Sequence, residues 1–360
     1  MAEVNWDRVR EQPLLFSGAL LATCYQVVKY GVSRLIAMRH PHRSSFEMVA
    51  RNILCNTLMS FNHLFILDAP AHSTEMACQL RGQGFEAFAT HSKPSLKDSD
   101  LVIFFCHGGG YGAGHPLQYR TMYQRWKNAA ADFGFSLEVV ALKYPLTPEH
   151  PYPAALNSAR AAYSYLINDC ELDCRRICFA GDSAGGNLVA ACLVDIRDKA
   201  DLPIPGGAVL LSPWLDLTLS LSQKSPDRNV DVMVSPEMMA SYLVPAFTGG
   251  KYEAEDPRIS PVLGANLEGL PPTFVSYGDA EVLQMDAMLW IQRCREAGVS
   301  VTTFIGHGGL HAFGVGGMIC TANLEKRSDQ ALMRFLLKQN PADISSNLAE
   351  SRSERIDLSS

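Results

Sequence analysis

Residues 177–187 read ICFAGDSAGGN, an apolar run that gives way to glycines and one serine and then continues into LVAACLVDIRDK, residues 188–199. Gly181-Asp182-Ser183-Ala184-Gly185 has G-x-S-x-G spacing between a strand and a helix. In that setting the turn is so sharp that only small residues fit around the serine, and its hydroxyl is thrust out at the end of a sheet. A helix beginning at Ala184 adds the positive end of its dipole near the same oxygen. The competing reading, a glycine-rich helix start with an idle serine, is disfavoured by this strand–turn–helix context.

Upstream, IFFCHGGGYGAGH (103–115) places another glycine cluster after an apolar run. Gly108, Gly110 and Ala113 fit the spacing of a dinucleotide loop, which cradles a pyrophosphate on backbone N–H groups. That reading needs an acid at the end of the next strand, about twenty residues on, but LEVVALKY finishes in Lys143 and Tyr144 and no Walker lysine follows. The other reading survives: an HGGG turn offers N–H groups to an oxyanion, here from Gly108 and Gly109, with Ala184 after the nucleophile as the further donor.

A serine hydroxyl needs a base, and with this elbow the chain order is serine, acid, histidine. GHGGLHAF (306–313) supplies His307 and His311. His307 abuts the preceding strand, whereas His311 has the loop length to reach back, so His311 is the expected base. The acid should follow the strand TFVSYG (273–278), where Asp279, Glu281 and Asp286 are available; spacing alone leaves Asp279 and Glu281 level.

Around these motifs, strand-like runs at 101–106, 137–144, 177–181, 208–214, 273–278 and 301–306 alternate with helical stretches. This is the pattern of a mostly parallel central sheet with helices on both faces. The expected organisation is an N-terminal helical lid segment (1–85), a first core part (86–214), a lid insertion (215–262), a second core part (263–340) and a disordered polar tail (341–360). The first 85 residues show no strong strand signal. Residues 13–28, PLLFSGALLATCYQVV, are apolar but short of the roughly 20 residues a spanning helix needs, and Glu3, Asp7 and Glu11 precede them. They read as a lid or surface helix, with an interfacial membrane anchor as the alternative.

The chain has 360 residues, 47% of them hydrophobic, and a formal net charge of −6, so nothing in its charge draws nucleic acid. The ten cysteines lie mostly in apolar runs and read as reduced thiols; Cys170, Cys174 and Cys178 lack the C-x-x-C spacing of a zinc site. With no N-x-[ST] sequon, a cytoplasmic location is expected, membrane association through 13–28 being the alternative.

Together, HGGG (107–110), YPLTPEHPYPAAL (144–156), GDSAGGN (181–187), LSPWLDL (211–217), DPRISP (256–261) and LHAF (310–313) resemble the hormone-sensitive-lipase family of α/β-hydrolases, in family order over about 100–338. The resemblance implies the α/β-hydrolase fold with a helical lid, and a serine esterase or deacetylase acting on a small or apolar ester without metal or organic cofactor. The family's acid motif departs here, yet the V-L at 282–283 superposes on its P-L, which puts Glu281 at the acid position. Tyr111 and Trp214 are expected to contact substrate, with ordinary packing as the alternative for Tyr111, and Met233, Met238, Met239, Tyr242 and Phe247 in the insertion suggest an apolar, adaptable pocket, with core filling as the alternative. Asp182 and Glu149 read as residues that tie loops together, and Asp286 as a helix-start residue. Two other readings remain: a non-catalytic binding module, since the plant gibberellin receptor resembles the family but lacks the histidine, and a hydrolase turned to cyclisation, acyl transfer or carbon–carbon cleavage.

Overall fold

The computed structural model describes residues 78–90, 96–225, 231 and 234–339, with isolated positions before residue 78. Most of the expected N-terminal lid segment, Met233 and the expected tail at 341–360 lie outside the described residues.

Apart from a two-residue antiparallel pair, Glu3–Val4 with Phe65–Ile66, the strands are β1 (Cys78–Gly82), β2 (Phe85–Ala89), β3 (Leu101–Cys106), β4 (Leu137–Leu142), β5 (Ile177–Asp182), β6 (Gly207–Leu211), β7 (Thr273–Gly278) and β8 (Val301–Gly306). They form one sheet in the order β8-β7-β6-β5-β3-β4-β2-β1. From β8 through β4 every neighbouring pair is parallel, while β2 runs antiparallel to both β4 and β1. Parallel strands are covered on both faces, which is why LVIFFC and ICFAGD are buried along their whole length.

Five main helices supply the cover: α1 (Arg120–Asp132), α2 (Ala154–Asn168), α3 (Ala184–Lys199), α4 (Gln284–Glu296) and α5 (Ala322–Gln339). Alternation along the strands sends Phe104, Phe179, Leu210 and Val275 into one core with α2, α3 and α4. Ile103, Phe105, Val209 and Phe274 enter the other core with α1 and α5. The site thus stands on a sheet clamped from both sides, with β5 near its middle.

Two expectations need correction. β1 falls within the first 85 residues, where no strand was expected; as an edge strand with mostly exposed residues it has no buried alternation to read. A turn at Gln83-Gly84, with Gly84 at φ +83°, joins it to β2. The strand expected at 208–214 stops at Leu211, because Ser212 adopts φ +46° and Pro213 has no N–H to donate. Between β6 and β7, short helices Pro236–Met238 and Val244–Thr248 flank a π-helical turn at Met239–Leu243.

Candidate active site

Ser183 sits between β5 and α3 at φ 52°, ψ −120°, a conformation costly for any residue with a side chain. Backbone contacts hold it there. A Cβ on Gly181 would lie 2.4 Å from the Gly185 carbonyl oxygen, and one on Gly185 would lie 2.1 Å from the Cys106 carbonyl oxygen. The glycine spacing is therefore what lets β5, α3 and the end of β3 touch through main chain. Ser183 donates its N–H to the Leu211 carbonyl at 2.9 Å, and its own carbonyl accepts from the Trp214 N–H at 3.0 Å.

His311 arrives on the loop after β8, held by the buried side chains of Leu310 and Phe313. Its Nε2 lies 2.9 Å from Ser183 Oγ. Glu281, on the loop after β7, is fully buried, and its Oε2 lies 3.8 Å from His311 Nδ1. That same Oε2 accepts the Ser212 hydroxyl at 2.6 Å. Glu281 Oε1 and His311 Nδ1 have no hydrogen-bond partner among the described residues.

Asp279, only two residues earlier, is turned elsewhere: it accepts the Gly308 N–H at 2.7 Å and faces Nδ1 of the exposed His307 at 3.0 Å. The structure brings Ser183, His311 and Glu281 together and leaves Asp279 with His307. Burial pushes His311 down to about 4, which keeps its ring neutral at ordinary pH. Burial, seconded by the charges of Asp231 and Asp286, raises Glu281 above the usual carboxylate range against the opposing pull of the Ser212 hydroxyl.

The glycine loop differs from expectation at one position. Gly108 donates its N–H to Asp182 Oδ1 at 2.8 Å and is committed there; a Cβ on it would sit 2.3 Å from Asp182 Oδ2. The N–H groups of Gly109, Gly110 and Ala184 find no protein acceptor among the described residues. Gly109 and Gly110 hold φ +115° and +61°, where a side chain is strained. Gly110, whose N–H stands open beside that of Gly109, was not singled out in the sequence, although the run of three glycines was the available signal. His107 anchors the loop, its ring stacked on Tyr144 at 4.2 Å and its Nδ1 2.7 Å from the Gly108 carbonyl.

Other expected residues fall out variously. Asp182 does tie loops, accepting the Tyr119 hydroxyl at 3.1 Å as well as Gly108. Glu149 does not: it is exposed and hydrogen-bonds no other described residue. Asp286 is more than a helix-start residue, since its buried carboxylate accepts the N–H groups of Leu215 and Asp216, both at 2.8 Å. Tyr111 and Trp214, expected to contact substrate, are each 1% exposed. The Tyr111 hydroxyl donates to Asn187 Oδ1 at 2.6 Å, and its ring stacks on Phe247 at 3.9 Å. Trp214 donates its indole N–H to the Asp216 carbonyl at 3.1 Å. Both act here as packing. Above the glycine loop, the Leu243 side chain comes within 2.6 Å of where a Cβ on Gly110 would stand.

Strand order, elbow and loop positions define an α/β-hydrolase, and sequence comparison agrees: a family model described as the alpha/beta hydrolase fold matches residues 103–315. The chain belongs to that family. It is 35% identical over 216 residues to an acetyl-hydrolase of Streptomyces hygroscopicus, covering 58% of this chain and 67% of the relative. It is 31% identical over 200 residues to an esterase of Acinetobacter venetianus, covering 56% and 63%. The chain thus spans about two thirds of these relatives' length. Among solved structures, a hormone-sensitive lipase from a metagenome library superposes with a TM-score of 0.66 at 29% identity, over 74% of this chain and 85% of the other. An esterase from the bacterial hormone-sensitive lipase family superposes at 0.65 and 27% identity, over 88% and 97%. No described helix is long and apolar enough to cross a membrane.

Proposed function

We propose that this protein is a serine carboxylic-ester hydrolase, an esterase or deacetylase working through an acyl-enzyme. The observation that carries this reading is the 2.9 Å approach of His311 Nε2 to Ser183 Oγ at a strained elbow. Ser183 Oγ attacks the ester carbonyl while Nε2 of the neutral His311 takes its proton, and Nδ1–H turns toward Glu281, whose carboxylate steadies the imidazolium. The oxyanion is met by the N–H groups of Ala184, Gly109 and Gly110. His311 returns the proton to the departing alcohol, then activates a water that releases the acid. No metal or organic cofactor enters this scheme.

The segment 215–262 serves as lid, with Met239, Tyr242, Leu243 and Phe247 favouring a short acyl group or a bulky apolar alcohol; the name of the Streptomyces relative, an acetyl-hydrolase, points the same way. Residues 13–28, of which Leu21, Tyr25 and Val28 are exposed, serve as a lid or surface helix, with peripheral membrane contact as the alternative reading.

Ser183→Ala tests the core of the proposal. Hydrolysis of p-nitrophenyl acetate should fall by about 10⁶-fold in kcat, and labelling by a fluorophosphonate should vanish while the melting curve is kept. Undiminished turnover in a folded variant would end the serine mechanism.

A further inference from the structure

The end of β6 and the loop that leaves it bond to Ser183, to Glu281 and to the residue after His311, although they contribute no member of the proposed triad. Leu211 and Trp214 bracket the main chain of Ser183, the Leu211 carbonyl accepting the Ser183 N–H and the Trp214 N–H donating to the Ser183 carbonyl. Between them, the Ser212 hydroxyl donates to Glu281 Oε2 at 2.6 Å and accepts the N–H of Ala312, the residue after His311, at 3.0 Å. Ser212 also donates its own N–H to the Ser276 carbonyl of β7 at 2.7 Å. It is buried and held at φ +46°. A non-glycine residue kept in that region marks a place where the surrounding structure tolerates local cost for the sake of a geometry.

Resting on the ester-hydrolase reading, we propose that Ser212 is a positioning residue for the acid–base pair: its hydroxyl splices the Glu281 carboxylate to the backbone behind His311 and sets how tightly the pair holds a proton. The hydroxyl holds Oε2 at the observed 3.8 Å from Nδ1 and leaves Oε1 without a partner. The carboxylate can then close on the ring when His311 becomes charged, without a new partner having to be displaced. The other ionisable groups acting on Glu281 are Asp231, whose carboxylate accepts the Val282 N–H at 3.1 Å, Asp286 at the start of α4, and Tyr277 at the end of β7. Asp231 and Asp286 disfavour the Glu281 anion. Among these neighbours the Ser212 hydroxyl is thus the side chain that favours it.

The sign follows. Taking away a donor to an anion makes the Glu281–His311 pair hold a proton at higher pH, whichever atom carries it. In Ser212→Ala the acid limb of kcat/KM for p-nitrophenyl acetate should move up by about one pH unit, and kcat at the plateau should fall about 10-fold to 10²-fold. Ser212→Gly, which suits the positive φ better, should show the same limb shift and guards against a folding defect in the alanine variant. An acid limb that stays where it is in both variants overturns the proposal, even if kcat falls, because a merely structural serine would lower turnover without moving the titration. Glu281→Gln is run alongside. If it turns over like the wild type, the acid assignment itself has failed, and the Ser212 proposal falls with it for that separate reason.

Discussion

Two buried carboxylates stand on either side of Ser183, and they are used in opposite ways. On the β3 side, Asp182 is saturated: it accepts the Gly108 N–H and the Tyr119 hydroxyl, at 2.8 and 3.1 Å. On the β6–β8 side, Glu281 keeps one oxygen without a partner and faces an equally unpartnered ring nitrogen across 3.8 Å. A satisfied carboxylate fastens a loop; one with spare capacity beside a titrating ring can respond when charge appears. Burial raises both, Asp182 to about 7 and Glu281 well above its ordinary value, so burial does not distinguish their roles. Hydrogen-bond saturation does.

The contrast is breakable at several points. Its sharpest test is Glu281→Gln, expected to cut kcat by about 10⁴-fold, as loss of the orienting acid does in serine hydrolases. A variant within 10-fold of wild type would erase the distinction. Next, Gly109→Ala should cost about 10²-fold in kcat, since its Cβ would meet the Ala113 carbonyl oxygen at 2.2 Å and push a proposed oxyanion donor aside. Asp182→Asn should act on stability first: loss of a charged acceptor for two buried donors should lower the unfolding free energy by about 1–3 kcal/mol in a urea titration. Its kcat should fall far less than that of Glu281→Gln.

The pH profile adds a finer check. His311 works as a base only when neutral, and burial depresses its pKa to about 4, below the ordinary histidine value of about 6.5. In Glu281→Gln, where the ring titrates without a coupled carboxylate, the residual activity should therefore persist through pH 6 and be lost as pH falls through the lower value; an acid limb near 6.5 in that variant would contradict the burial argument. Smallest of all, Asp279→Asn removes a carboxylate whose partner His307 is exposed, and kcat/KM should change by less than about 3-fold.

Much of this was legible in the sequence because the chemistry demanded visible spacing. The elbow at 181–185 is forced by main-chain contact, and only glycine satisfies it, so the pattern could be read directly. The parallel strands β3 to β7 were readable as apolar runs because both of their faces are covered. What was not legible depends on partners distant in sequence. Gly108 and Gly110 look alike in HGGG; only the position of Asp182, seventy-four residues away, separates a committed N–H from an open one. Tyr111 and Trp214 carry the side chains a substrate pocket would use, but their hydroxyl and indole groups find protein partners instead. Ser212 stands inside the LSPWLDL motif, but the motif did not reveal its proposed role, which lies in a backbone angle and two contacts across the tops of three strands. β1 was hidden for the opposite reason: at the edge of the sheet, almost nothing about it is buried.

The proposed nucleophile, Ser183, rests on peptide groups pressed together at Gly181 and Gly185, whereas the roof over Gly110 is made by the side chain of Leu243 from a short helical insertion. Under selection these two zones would drift at different speeds. A mutant library would return almost nothing viable at the elbow, yet around residue 243 it would find many tolerated changes, each reshaping which esters fit while leaving the bond-breaking apparatus untouched.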